Sequence, residues 1–278
     1  MTIADTWLAP AKLNLFLHVT NQRPDGMHEL QTVFQFLDYC DELVFQVRDD
    51  GVIQLQGGLD GVEDEDNLVV RAARALQSHT GTALGAEINL VKRLPSGGGL
   101  GGGSSDAATT LVALNQLWNC ELSNNELAEL GLKLGADVPI FVHGHAAWAE
   151  GVGEIFEPVD LPERWFLVIQ PKIQVSTAEI FSAPELTRDC PAITIRDFLS
   201  GQSTNVCEPV VRHRHPEVDR ALKWLGKYAE ARMTGTGSCI FADFDTESQA
   251  VDILSKMPGD WQGFVAKGCN HSPLYKAE

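Results

Sequence analysis

From residue 12 to residue 20 the chain alternates: Leu13, Leu15, Leu17 and Val19 fall on one face, and Asn14, Phe16 and His18 on the other. A period of two predicts a strand with one firmly buried face. Arg23-Pro24-Asp25-Gly26 is a turn signal, because proline presets φ and glycine supplies a positive φ. Residues 30–39 and 42–48, rich in Phe and Val, predict two further strands. Gly57-Gly58 and the acidic run 63–66 read as a solvated loop leading into a helix over 67–79, where Leu68, Ala72 and Leu76 share a face. Residues 86–92 predict a strand with Ile88 and Leu90 in phase. A helix then carries Ala107, Ala108, Leu111, Leu114 and Trp118 on one side. Ser123 and Glu126 form a capping-box pattern for a helix ending near Gly135.

The later chain predicts strands at 146–148, 165–170, 239–244 and 261–267. A helix is expected at 216–229 with Pro216 in its first turn, and another from Thr246 with Gln249 at the box position. Runs of strands, then helices, then strands point to an α+β fold rather than strict βαβ alternation. A length of 278 residues suits roughly two domains. The Gly-, Pro- and acid-rich segment 151–161 is the expected boundary, giving an N-terminal domain over 1–155 and a C-terminal domain over 156–278.

Composition narrows the function. With 44% hydrophobic residues the chain can bury an ordinary core without disulfide or metal staples. A net charge of -17 argues against a nucleic-acid partner and against an anionic membrane surface, since both need clustered cations. A small anionic substrate remains compatible, because one pocket can be positive on an acidic protein. The six cysteines are scattered with no C-x-x-C, which fits thiols in a reducing compartment. The pairs His143/His145 and His213/His215 have no Cys or carboxylate at zinc-ligand spacing, so no metal site is expected there. The first residues lack a basic segment followed by an apolar run, and no stretch is long and apolar enough to span a bilayer. A soluble, cytoplasmic protein with no obligate protein partner is the expectation.

The most unusual segment is Pro95-Ser96-Gly97-Gly98-Gly99-Leu100-Gly101-Gly102-Gly103-Ser104-Ser105, set between a strand and a helix. Glycine is costly to order, so such a run implies close backbone approach to a ligand rather than a flexible connector. Successive N–H groups, with the positive end of the following helix, suit a phosphate or diphosphate. The run contains G-x-G-x-x-G, but Glu121 lies in a helix junction where a dinucleotide fold needs a strand-end acid. It lacks the Lys of a P-loop, and neither H-R-D nor D-F-G occurs in the chain.

This glycine run resembles the ATP loop of the GHMP kinases, the family of galactokinase, homoserine kinase and mevalonate kinase. Pro10-Ala11-Lys12-Leu13-Asn14-Leu15, Arg23-Pro24-Asp25-Gly26-Met27-His28-Glu29-Leu30, Leu134-Gly135-Ala136-Asp137-Val138-Pro139 and Met233-Thr234-Gly235-Thr236-Gly237-Ser238 narrow the resemblance. They are similar to the branch that phosphorylates the 2-hydroxyl of a cytidine-diphosphate-linked methylerythritol in non-mevalonate isoprenoid synthesis. The resemblance implies a two-domain fold with the active site between the domains, ATP as co-substrate, and Mg²⁺ with no ligand assigned. It matches Lys12 and Asp137 to the catalytic pair. Asp137 would accept the hydroxyl proton, while Lys12 would orient Asp137 and the alcohol and favour the charged carboxylate. Read from local sequence, Lys12 is a snorkelling residue at a strand start and Asp137 a helix N-cap before Pro139.

On the substrate side, the resemblance implies that His28 reads the cytosine edge and Phe181 stacks on the base. Thr177 would contact the diphosphate and Asn14 the acceptor end, with Gly235, Thr236 and Gly237 forming a second loop near the substrate's phosphates. By itself Phe181 reads equally as core, and the second glycine loop as a tight turn. Related enzymes often have Tyr where this chain has Met27, which removes one stacking ring. Asn67 is expected near the adenine, a position that helix capping explains as well. The competing readings are a sister GHMP kinase acting on homoserine or mevalonate, a nucleotide-binding regulator without catalysis, and a dinucleotide-dependent oxidoreductase.

Overall fold

The computed structural model describes residues 5–58, 63, 65–201 and 204–275. The acidic run 63–66 therefore lies partly outside the described residues, as do residues 1–4 of the N-terminal segment. In chain order the elements are β1 (Thr6–Gln22), β2 (His28–Arg48), β3 (Ile53–Gly57), α1 (Leu68–Thr80), β4 (Gly85–Val91), α2 (Gly102–Leu117), α3 (Asn124–Leu132) and α4 (Val138–His143). They continue with β5 (Ala147–Glu150), β6 (Ile155–Pro158), β7 (Trp165–Gln170), α5 (Thr177–Ser182), α6 (Ile195–Leu199), α7 (Cys207–Arg214) and α8 (Pro216–Leu225). The chain closes with β8 (Arg232–Met233), β9 (Ile240–Phe244), α9 (Glu247–Leu254) and β10 (Gln262–Cys269).

The strand at 12–20 is real but longer, and the two strands expected at 30–39 and 42–48 are one 21-residue strand, β2. β2 is the hub of the sheet. It pairs antiparallel with β1 along most of its length, with β5 at Thr32 to Phe34, with β4 at Glu42 to Arg48, and with β10 at Phe36 and Leu37. Through β10 the sheet runs on to β7, β9 and β8, so strands from both ends of the chain form one continuous surface. β3 pairs parallel with β4, and α1 makes the crossover that a parallel pair requires. The segment at 151–161, expected as the domain boundary, contains β6, which pairs antiparallel with β5.

Helices start where the sequence supplies caps. The Asn67 side chain accepts from the Val69 N–H, and α1 ends at Gly81 in the left-handed region. Ser123 and Glu126 form the reciprocal box at α3, and Thr246 and Gln249 the same at α9. Helices α1 to α4 pack on the β2 and β4 part of the sheet around Phe36, Leu76, Ile88 and Leu114. A second core forms around β7, β9, α7 and α8, with Leu167, Val211, Leu222 and Ile240 buried. Between them, Leu13, Phe16, Leu37 and Phe241 make a third.

β1 is therefore buried on both faces rather than one. Lys12 and Asn14 are 2% and 4% exposed, although their face looked polar. Buried polar groups need partners, and those partners build the site. Among the described residues, no helix is long and apolar enough to cross a membrane, and all six cysteines are free thiols.

Candidate active site

The glycine run folds into a tight loop that enters α2. Gly97, Gly99 and Gly101 all have positive φ. At Gly99 the close approach is explicit: a Cβ would lie 2.4 Å from the Thr234 carbonyl oxygen. The loop's carbonyls turn into the protein. Cys239 N–H donates to Gly98 O at 3.1 Å, the Lys12 ammonium to Gly99 O at 3.1 Å, and Lys12 N–H to Leu100 O at 3.0 Å. With the acceptors so engaged, the amides from Ser96 to Ser104 find no acceptor among the described residues. They face a cavity of about 410 Å³ lined by the run from Pro95 to Ser104. A row of unpaired N–H groups at the start of a 16-residue helix has the geometry that suits an anion.

Asn67 also lines this cavity, while its side-chain oxygen is occupied in capping α1. Ser105 sits behind the loop, fully buried, with no partner for its hydroxyl. Lys92, which sequence reasoning missed, lies at the cavity wall. Its ammonium is held between the Asp41 carboxylate and Asp106 at 2.7 Å. Burial, with the Asp41 carboxylate nearby, pushes the Asp106 carboxyl up to about 7 against the opposing pull of Lys92.

Lys12 and Asp137 come together although the chain separates them widely. The Lys12 ammonium lies 3.3 Å from Asp137 Oδ2. It also donates to Asn14 Oδ1 at 2.5 Å and sits 5.3 Å from the centre of the Phe34 ring. Asn14 is fixed in turn, its side chain donating to Thr32 Oγ1 at 3.0 Å and its N–H to Thr234 Oγ1 at 3.0 Å. Asp137 occupies the N-cap position of α4, with Pro139 in the first turn, yet its side chain makes no capping bond. Its carboxylate side chain is 38% exposed and turned to the ligand space.

A second cavity, about 920 Å³, opens on the other side of this pair. Phe181 and His28 line it with ring centroids 5.1 Å apart and planes inclined by 27°. Met27 is exposed on its rim. Burial and the neighbouring Arg188 push the His28 imidazolium down, so the ring is neutral near pH 7. The Thr177 and Thr236 hydroxyls bond each other at 2.9 Å along the wall. Gly235 lines the cavity, whereas Gly237 packs behind it against Met233. Asn205, also missed from sequence, holds the second glycine loop by donating to Met233 O and Gly235 O. The two cavities share Gly99, Ser104, Asp137 and Thr177. They meet at the ion pair.

The GHMP kinases N terminal domain matches residues 67–145, and GHMP kinases C terminal matches residues 192–262. A 4-diphosphocytidyl-2-C-methyl-D-erythritol kinase of Nitrosococcus oceani is 60% identical over 268 residues, 96% of each chain. The enzyme of the same name from Shewanella loihica is 56% identical, covering 96% of this chain and 95% of that one. A crystal structure of 4-(cytidine 5'-diphospho)-2C-methyl-D-erythritol kinase superposes with a TM-score of 0.83 at 31% identity, over 95% of this chain and 99% of the other. Mevalonate kinase of Methanococcus jannaschii shares the fold, with a TM-score of 0.72 at 16% identity over 97% and 99% of the two chains.

Proposed function

The chain belongs to the 4-diphosphocytidyl-2-C-methyl-D-erythritol kinases of the GHMP kinase family, and from that premise we propose that Lys12 and Asp137 carry its chemistry. The activity is ATP-dependent phosphorylation of the 2-hydroxyl of 4-diphosphocytidyl-2-C-methyl-D-erythritol, giving the 2-phosphate and ADP, in non-mevalonate isoprenoid precursor biosynthesis. One observation carries the assignment of residues: the ion pair stands where the glycine-loop cavity opens into the larger one.

ATP's phosphates lie on the free amides from Ser96 to Ser104, between Pro95 and the buried Ser105, with its base toward Asn67. The cytidine end occupies the larger cavity. Phe181 stacks on the base and His28 reads its edge. Thr177, with Gly235 and Thr236, borders the diphosphate, Gly237 supports that loop from behind, and Asn14 stands beside the acceptor end. This orientation sets the 2-hydroxyl between Asp137 and the γ-phosphate. The phosphoryl transfer asks mainly for positioning and charge neutralisation. A carboxylate is too weak a base to ionise an alcohol in advance, so Asp137 takes the proton late, as the new O–P bond closes. Lys12, clamped by Asn14 and Gly99, steadies the carboxylate and the developing charge without moving.

Mg²⁺ would fit where the two cavities meet, beside the Ser104 hydroxyl and the Asp137 carboxylate. Among the described residues no cluster of three metal-ligating side chains occurs, so the nucleotide's phosphates and water would supply most of the ion's coordination. Ser104, at the junction of both cavities, is the residue that would hold it. The ion would neutralise charge on the phosphates. Residues 1–155 supply the ATP loop, the catalytic pair and His28, and residues 156–278 supply Thr177, Phe181 and the second glycine loop. The free thiols fit a cytoplasmic setting.

The test is an ADP-release assay with two acceptors, 4-diphosphocytidyl-2-C-methyl-D-erythritol and mevalonate. Turnover is expected with the first alone, falling away in Asp137→Asn and Lys12→Ala. Near-wild-type turnover in either variant removes that residue from the chemistry.

A further inference from the structure

We propose that Arg188 sets the preference for cytosine over uracil by holding His28 in the Nδ1–H tautomer, as a positioning residue. The proposal rests on the reading that His28 meets the base, and goes beyond it by naming what fixes the histidine's polarity. Arg188 Nε–H donates to His28 Nε2 at 3.1 Å. A guanidinium is always a donor, so Nε2 must be the accepting nitrogen and the neutral ring carries its proton on Nδ1.

Arg188 cannot turn away from this bond. Its Nη2 donates to Phe181 O at 2.7 Å and to Ala183 O at 2.8 Å, and its Nη1 to Leu186 O at 3.0 Å. Among the described residues its donors go to three carbonyls and one imidazole, and none to a carboxylate, so its charge stands beside the ring unneutralised. A cation there opposes a second proton on His28. The same guanidinium pins the backbone of Phe181, whose ring lies against His28. One side chain therefore fixes both the stacking group and the hydrogen-bonding polarity of the reader.

The consequence follows from base chemistry. Cytosine N3 is an acceptor and uracil N3 bears a hydrogen. A histidine that offers only Nδ1–H bonds cytosine N3 and opposes the uracil N–H. With the proton on Nε2, Nδ1 becomes an acceptor and the preference inverts. A site whose donor is left facing another donor loses far more than one contact.

The experiment has two readouts. Imidazole ¹⁵N chemical shifts of His28, assigned by their loss in His28→Ala, report the tautomer of the unaltered protein. The ratio of kcat/KM for the cytidine-linked substrate to that for its uridine-linked analogue reports discrimination. The wild type is expected to carry the proton on Nδ1. Arg188→Met is expected to populate the Nε2–H form and lower the ratio about tenfold or more. Arg188→Lys, which can still donate to Nε2, is expected to keep most of both, whereas a merely structural loop staple would leave the tautomer unmoved.

An Nε2–H tautomer in the wild type overturns the proposal without recourse to any variant. An unchanged ratio in Arg188→Met, with His28→Ala destroying discrimination, overturns the role of Arg188 while leaving His28 as the reader. An unchanged ratio in His28→Ala overturns the base-reading premise and the proposal with it.

Discussion

Asp137→Asn isolates the proton acceptor with little other disturbance. The substitution keeps size and shape, and removes a charge and a basic oxygen. The Asp137 side chain caps no helix N–H, so α4 loses no bond. Lys12 remains held by Asn14 Oδ1 at 2.5 Å and Gly99 O at 3.1 Å, so the ammonium stays in place. Across 3.3 Å the ion pair is worth about 1 kcal/mol in bulk water and about 5 kcal/mol at an effective dielectric of 20. With the carboxylate 38% exposed, the lower part of that range applies, and stability should change by less than about 1 kcal/mol. General-base catalysis contributes about 10²- to 10⁴-fold, or roughly 3–5 kcal/mol of barrier. The expected outcome is a fall in kcat of that size with the ATP KM within about threefold of wild type. Thermal unfolding should shift by no more than about 4 °C. A coupled ADP-release assay and a melting curve decide it. A kcat within about threefold of wild type would refute the reasoning.

Lys12→Met removes a cation that is almost fully buried and leaves Asn14 Oδ1 and Gly99 O without their donor. It should lower kcat about 10³-fold and destabilise by about 1–3 kcal/mol, read by turnover and denaturant unfolding. Gly99→Ala places a methyl 2.4 Å from the Thr234 carbonyl at a φ of +77. The ATP KM should rise at least about tenfold as the amide cradle distorts, and an unchanged KM would mean the run is not the phosphate site. Asp106 has its carboxyl raised from 3.8 to about 7, so the native state holds a proton that the unfolded chain has released. Its stabilising contribution is full below pH 4 and is lost as pH rises through 7, a cost of roughly 2–4 kcal/mol at pH 8. Asp106→Asn should therefore melt about 5 °C above wild type at pH 8 and converge with it toward pH 4; a gap that does not depend on pH would contradict this origin.

Much of the site was legible because it rests on backbone geometry that only certain residues permit. The glycines at 97, 99 and 101 announce positive φ, and the structure uses them so. Strand β7 and the boxes at Ser123 and Thr246 were equally readable, being local signals. What failed was long-range. The polar face of β1 looked solvent-facing, since nothing local tells that Thr32, Thr234 and Gly99 arrive to satisfy Asn14 and Lys12. β2 was cut in two at Asp41, a charged residue whose buried carboxylate is held by Lys92 and by two backbone amides. The short helices α5 and α6 were missed although Ser176 with Glu179, and Thr194 with Asp197, already carried the capping pattern. Arg188 gave no signal at all. Its importance comes from three carbonyls and an imidazole that the fold gathers around it.

The central claim, that a hydroxyl is phosphorylated at the Lys12–Asp137 pair, is tested most directly by a crystal structure with a non-hydrolysable ATP analogue and the cytidine-linked alcohol bound together. The account predicts the triphosphate on the amides of the glycine run and the 2-hydroxyl within about 3.2 Å of the Asp137 carboxylate, facing the γ-phosphate. A hydroxyl lying beyond about 5 Å from both Asp137 and the γ-phosphate, with both ligands fully ordered, would contradict it.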